Sequence, residues 1–152
     1  MFDIHIEEFY HDTFKILSAL YQAFPKKCNI FVSDIAGEDQ PDEYGLHSDR
    51  FQSCFGAILW LELEGYIRFE STLRQEAADQ ASLTMKGLAT LSSICQDEVL
   101  NELTARIAPT NDSLKGRPNI ESLKHTFKHG TSTQLAQAMQ HLLTRFSNYN
   151  KA

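Results

Sequence analysis

The hydrophobic period of this chain changes from helical to alternating at Gly65, and that switch restricts the fold more than any other feature. Ahead of it, Phe51, Cys54, Phe55, Ile58, Leu59 and Leu61 recur at the spacing of one helix face. Ser48 suits the N-cap of this helix, which extends to about Glu64, and Gly65 suits the left-handed position that ends one. Directly afterwards, Tyr66 to Glu70 alternates as a strand does, with Ile67 and Phe69 on one face. Residues 71–80 are polar and read as a hairpin tip, with Ala81 to Leu83 as the returning strand. Thr84 then suits the cap of a long helix through about Ile107, with Leu88, Leu91, Cys95, Val99, Leu103 and Ile107 in register.

The flanking segments are helical as well. Residues 4–24 carry Ile6, Phe9, Tyr10, Thr13, Leu17, Leu20, Tyr21 and Phe24 on one broad arc, and Pro25 stops that helix. Ile30 and Phe31 form a short strand, and Ser33 caps a short helix through Ala36 that ends near Gly37. Residues 38–46 are a polar loop marked by Pro41 and Gly45. Residues 108–118 read as a linker. Asn119 then caps a helix to about His129, closed by Gly130, and a last helix runs from about Ser132 to Tyr149. There is no internal repeat. The expected class is mainly α: a winged-helix arrangement of helices and one two-stranded hairpin, with a C-terminal helical extension.

The local wording points the same way. Leu61-Glu62-Leu63-Glu64-Gly65-Tyr66-Ile67-Arg68-Phe69 resembles the end of a recognition helix entering the first wing strand. Ser82-Leu83-Thr84-Met85-Lys86-Gly87-Leu88 resembles the return from a wing into the next helix. Both are similar to the MarR-like and PadR-like winged-helix regulators of bacteria, over about residues 5–107. The expected organisation is a winged-helix-like domain over 1–107, a linker over 108–118 and a helical extension over 119–152 that packs on the first domain or on a second subunit. The resemblance implies DNA binding, with the helix before the wing in the major groove and the wing tip at the backbone. Arg50, Gln52, Ser53, Arg68 and Arg74 are the contacts it implies.

Charge opposes that implication. The 152 residues hold 14 Lys and Arg against 20 Asp and Glu, a net charge of −6. Within residues 30–85 only Arg50, Arg68 and Arg74 stand against eleven acids, a net of −8 where phosphate contacts require base. The loop over 38–46 carries four acids and exceeds the 3–4-residue turn of a compact helix-turn-helix. Opposite the apolar stripe of the Ser48 helix lie Gln52, Ser53, Gly56, Ala57 and Trp60, a smooth uncharged surface. It reads either as a protein interface anchored by Trp60 or as a face on which Trp60 meets the chain's own terminal helices.

The base is concentrated elsewhere. Residues 1–107 have a net charge of −10 and residues 108–152 of +4. Leu135, Met139, Leu142, Leu143, Phe146 and Tyr149 make a stripe on the last helix that needs a partner surface, in the same chain or a second copy. The expected interface residues are therefore Gln52, Ser53, Gly56, Trp60, Leu135, Met139, Leu142 and Phe146. The partner is a protein or the chain itself as a homodimer, and nucleic acid is disfavoured.

Other chemistry is sparse. Cys28, Cys54 and Cys95 are odd in number and lack metal-ligand spacing, which favours a reducing cytoplasm. No signal peptide is expected from Met1-Phe2-Asp3-Ile4-His5. The most apolar uncharged run, Phe51 to Leu61, is shorter than the roughly 20 residues of a membrane span. Glu121, His125 and His129 share a helical stripe, but Thr126 follows the first His where the zinc-protease motif has Glu, and Lys124 and Lys128 crowd the site. The neighbouring acids Glu7/Glu8 and Asp97/Glu98 read as solvated faces. There is no nucleophile elbow, P-loop or dinucleotide fingerprint. A non-catalytic protein without cofactor is expected, acting through protein contacts. A DNA-binding regulator of MarR/PadR type is the alternative, and a metal-binding protein or enzyme a remote one.

Overall fold

The computed structural model describes residues 2–107, 114 and 116–149. Among them, seven helices and four strands follow in order: α1 (Ile4–Ala23), β1 (Cys28–Phe31), α2 (Val32–Ala36), α3 (Asp49–Leu63), β2 (Ile67–Arg68), β3 (Ser71–Leu73), β4 (Ala77–Leu83), α4 (Met85–Ser92), α5 (Glu98–Arg106), α6 (Asn119–His129) and α7 (Ser132–Phe146). The chain is thus mainly helical with one small antiparallel sheet. Two compact units emerge. One is Asp12–Gly87. The other joins the residues up to His11 to those from Leu88 onward, so the boundaries run through α1 and α4. Most of the 108–118 segment lies outside the described residues.

In the Asp12–Gly87 unit the sheet is built around β4. Its order is β1-β4-β2, and β3 also pairs with β4. Cys28 lies opposite Ala81 and Phe31 opposite Ala77 on one side, while Ile67 lies opposite Leu83 and Ser71 opposite Asp79 on the other. Ala77, Ala78 and Ala81 are all buried, as a central strand squeezed between elements requires. Phe14, Ile16, Leu17 and Leu20 of α1, Val32 and Ile35 of α2, Phe51, Cys54, Ile58 and Leu61 of α3, and Tyr66 and Ile67 complete this core. Arg50 reaches across from α3 to α1 and donates both guanidinium arms to Asp12, at 2.7 and 2.6 Å, with Asp12 only 1% exposed.

The end of α3 is a local code. Ser48 Oγ accepts from Phe51 N. At the other end Gly65, with φ +85°, donates to Glu62 O, and Tyr66 N donates to Leu61 O. Those two bonds form the Schellman closure that glycine permits. The end of α3 and the start of α4 then lock together. Thr84 Oγ1 donates to the Gly65 carbonyl and accepts from Gly87 N, while Lys86 Nζ donates to Glu64 O at 2.7 Å and lies 4.5 Å from the centre of the Tyr66 ring.

In the other unit α5, α6 and α7 pack on one another. Leu100, Ile120, Leu123, Leu135, Met139, Leu142 and Leu143 fill its core. A capping box starts α7: Thr131 Oγ1 accepts from Gln134 N and Gln134 Oε1 accepts from Thr131 N. Asp97 caps α5 by accepting from Leu100 N, and also accepts from His141 Nε2 and Arg145.

Four sequence expectations change. The helix from Thr84 breaks after Ser92, because Cys95 and Asn119 backbone N–H groups donate to Arg117 O and Ser93 O, which pulls residues 94–96 out of the helical ladder. Ser33 lies inside α2 and does not cap it: Val32 N donates to Glu76 O, so the helix starts straight off the sheet. Asn119 is the first residue of α6, its side-chain amide committed to Thr90 O, and Pro118 takes the cap position. The polar tip narrows to 74–76, since Ser71–Leu73 pairs with β4 and β4 begins at Ala77.

Candidate interaction site

The outer face of α3 follows from its amphipathic spacing. With Phe51, Cys54, Ala57, Ile58 and Leu61 buried, the opposite side carries Gln52, Ser53, Gly56, Leu59 and Leu63, all exposed. Leu59 was expected on the core side but is 41% exposed, and Phe55 is half-buried; Ala57 is buried in their place. The small side chain of Ala57 permits closer packing there. Trp60 is half-buried, with its ring stacked on Tyr66 at 6.1 Å between centroids.

Residues 37–48 form one wall beside this face. Asp42 Oδ1 accepts from the backbone N–H of Tyr44 and Leu46 at 2.8 and 2.9 Å, a tight turn that leaves Tyr44 80% and Leu46 59% exposed. His47 ties the loop down. Its Nδ1 lies 2.9 Å from Asp39 Oδ2, its Nε2 lies 3.1 Å from Glu76 Oε1, and its ring stacks on Phe51 at 3.9 Å. Partial burial opposes a charge on this imidazole, but the bonds to Asp39 and Glu76 outweigh it and raise the His47 pKa. Asp39 is shifted down, first by the N–H of Ser48 and then by His47. Gln52 Nε2 donates to His47 O at 2.7 Å, which joins the loop to α3.

The β3–β4 turn forms the other wall. Arg74 and Gln75 both occupy the left-handed region, at φ 51° and 59°, where turns favour Asn and Gly. Between the walls is a cleft of about 440 Å³ whose lining includes Leu46, Phe55, Gly56, Leu59, Arg74 and Glu76. Its volume falls within the range of ligand and side-chain pockets.

The expected site residues separate into two groups. Gln52, Ser53, Gly56 and Trp60 share α3, and of these Gln52 and Gly56 line the cleft. Leu135, Met139 and Leu142 are buried and Phe146 is half-buried, so most of the α7 stripe is consumed by packing. Of the DNA-contact candidates, Arg50 is held by Asp12, Gln52 by His47 O, while Ser53, Arg68 and Arg74 are exposed. His47, Glu76 and Leu46 were missed in the sequence. Their only local signal is a histidine set among carboxylates, and its two partners lie 8 and 29 residues away.

His125 is buried and His129 exposed, with ring centroids 5.1 Å apart. Among the described residues no group of three or more His, Cys, Asp or Glu is placed to hold a metal ion, and no helix is long and apolar enough to cross a membrane. The chain matches no family model, no curated protein and no solved structure.

Proposed function

We propose that this chain is a non-catalytic regulatory or adaptor module of winged-helix type, working through protein contacts made by α3 and the cleft beside it. The winged-helix reading is supported by the element order, helix, strand, two helices, hairpin and helix, and by the sheet order β1-β4-β2. The observation that carries the functional reading is the fate of Arg50. It is the one basic residue within α3, and it is committed to the buried Asp12. Apart from the exposed acids Asp49 and Glu62, the face that a DNA reader would turn to the major groove is left with amide, hydroxyl, glycine and leucine, a surface suited to another protein and not to phosphate.

A DNA-binding regulator of MarR/PadR type is the second reading. The exposed Arg68 and Arg74 of the hairpin favour it, since phosphate contacts at a wing need little more than cations. Two measurements decide. Duplex DNA titrated at low salt is expected to give no saturable binding, and a photo-crosslinking residue at Ser53 is expected to yield protein adducts in cells. Saturable DNA binding with a steep salt slope, weakened by Arg74→Ala, overturns the protein-docking reading.

A further inference from the structure

We infer that the partner of this face is a basic amphipathic helix, laid along α3 with an apolar anchor in the cleft. This deepens the protein-docking reading and rests on it. Gln52, Gly56, Leu59 and Leu63 are spaced four, three and four residues apart, the 3.5-residue seam along which two helices pack. Leu63 is 83% exposed and Leu59 41%. The apolar surface continues through Leu46 and Phe55 into the cleft.

Gly56 marks the place of closest approach. It sits mid-helix, where glycine is unfavourable. A β-carbon built on it would meet nothing within 4 Å. The chain's own packing therefore gives no reason for glycine here, whereas a second helix crossing at this point gains room from it.

Charge selects the sign of the partner. Asp49 at one end of α3 and Glu62 and Glu64 at the other are exposed, and Glu76, held by His47, lines the cleft. Glu62 and Glu64 stand at the negative end of the helix dipole, a placement unfavourable for the chain alone. Arg74 is the one Arg or Lys among the cleft residues. Cations on an incoming helix would relieve this accumulation of acid. A second copy of α3 would worsen it, because antiparallel pairing sets Asp49 against Glu62 and Glu64, and parallel pairing sets each acid against itself.

The test uses the full chain as bait for a displayed library of amphipathic helices with randomised polar faces. The selected pool is expected to be enriched in Lys and Arg. A selected helix should bind at least tenfold more weakly to Gly56→Leu and to Glu62→Lys/Glu64→Lys, with far-UV circular dichroism of both variants unchanged. Exposure of all three sites makes those variants tolerable to the fold. An acidic or neutral pool, or full affinity for Gly56→Leu, overturns the proposal. So does sedimentation of the wild-type chain as a dimer that Leu59→Asp dissolves. Protein adducts at Ser53 together with a non-basic pool overturn the partner chemistry alone, whereas DNA binding overturns the docking reading beneath it.

Discussion

Gly87 has no room for a β-carbon. One built there would lie 2.1 Å from the carbonyl oxygen of Tyr66, a backbone atom that cannot swing aside. Thr84, Lys86 and Gly87 together grip the turn that ends α3, through hydroxyl, ammonium and bare backbone respectively. Gly87→Ala is therefore expected to destabilise the fold by about 3 kcal/mol, the upper part of the usual overpacking range. Chemical denaturation would read this as a lower midpoint at unchanged slope; an unchanged midpoint would refute the contact. The contrast with Gly56 is instructive. Both glycines lie within helices, yet only one is explained by what surrounds it. In the sequence the two look alike, since neither identity nor period says what stands opposite a missing side chain.

At the level of elements, Asp97 ties the start of α5 to α7. Burial works against its charge, but His141, the Leu100 N–H and Arg145 prevail and bring its pKa from 3.8 to about 2. A carboxylate depressed by folding stabilises the folded state above its unfolded pKa, and that contribution disappears as pH falls through the folded value. The window is therefore about pH 4 down to about 2, and the amount is about 2 kcal/mol. Asp97→Asn should lose roughly that much at pH 7 and flatten the stability profile across the window. A profile as steep as wild type would show that other carboxylates carry the acid transition.

Elements whose signals are local were legible in the sequence. Ser48 and Gly65 bound α3 because capping is decided within a few residues. The break after Ser92 was hidden, because Leu88, Leu91, Cys95, Val99 and Leu103 continue one period across it while the bonds that enforce it come from residues 116–119. Likewise Ser71 and Thr72 are polar, and Ser71–Leu73 becomes a strand only because β4 offers an edge. Half of the candidate site shared that fate. The α3 face could be read from periodicity, but the walls of the cleft come from His47 and from the Arg74-Gln75 turn, which only the fold brings near it.

For the molecule as a whole, the unit containing α5, α6 and α7 is discontinuous in sequence. It needs residues before α3 and residues after β4. Leu100 is 1% exposed in a core whose other members include Leu123, Leu135, Met139 and Leu142. A chain ending at Ile107 removes all four of those partners. In such a chain the Glu98–Arg106 amides are expected to collapse to random-coil shifts in an NMR spectrum, while those of Asp12–Gly87 keep their dispersion. Retention of a helical α5 in the shortened chain would mean that α5 draws its stability from residues 1–107 alone.

The central position of β4 also orders events in time. Its pairing with β3 closes a loop of three residues, Arg74 to Glu76, whereas its pairing with β1 joins Cys28 to Ala81 across some fifty residues. Loop-closure entropy makes the short closure fast and the long one slow. The hairpin therefore assembles first and waits with one side of β4 bare. During synthesis, this newly made strand is an open edge until β1 reaches it, and an open edge accepts any extended chain nearby. The strand that follows the Arg74-Gln75 turn of the cleft is thus open to mispairing until β1 covers it.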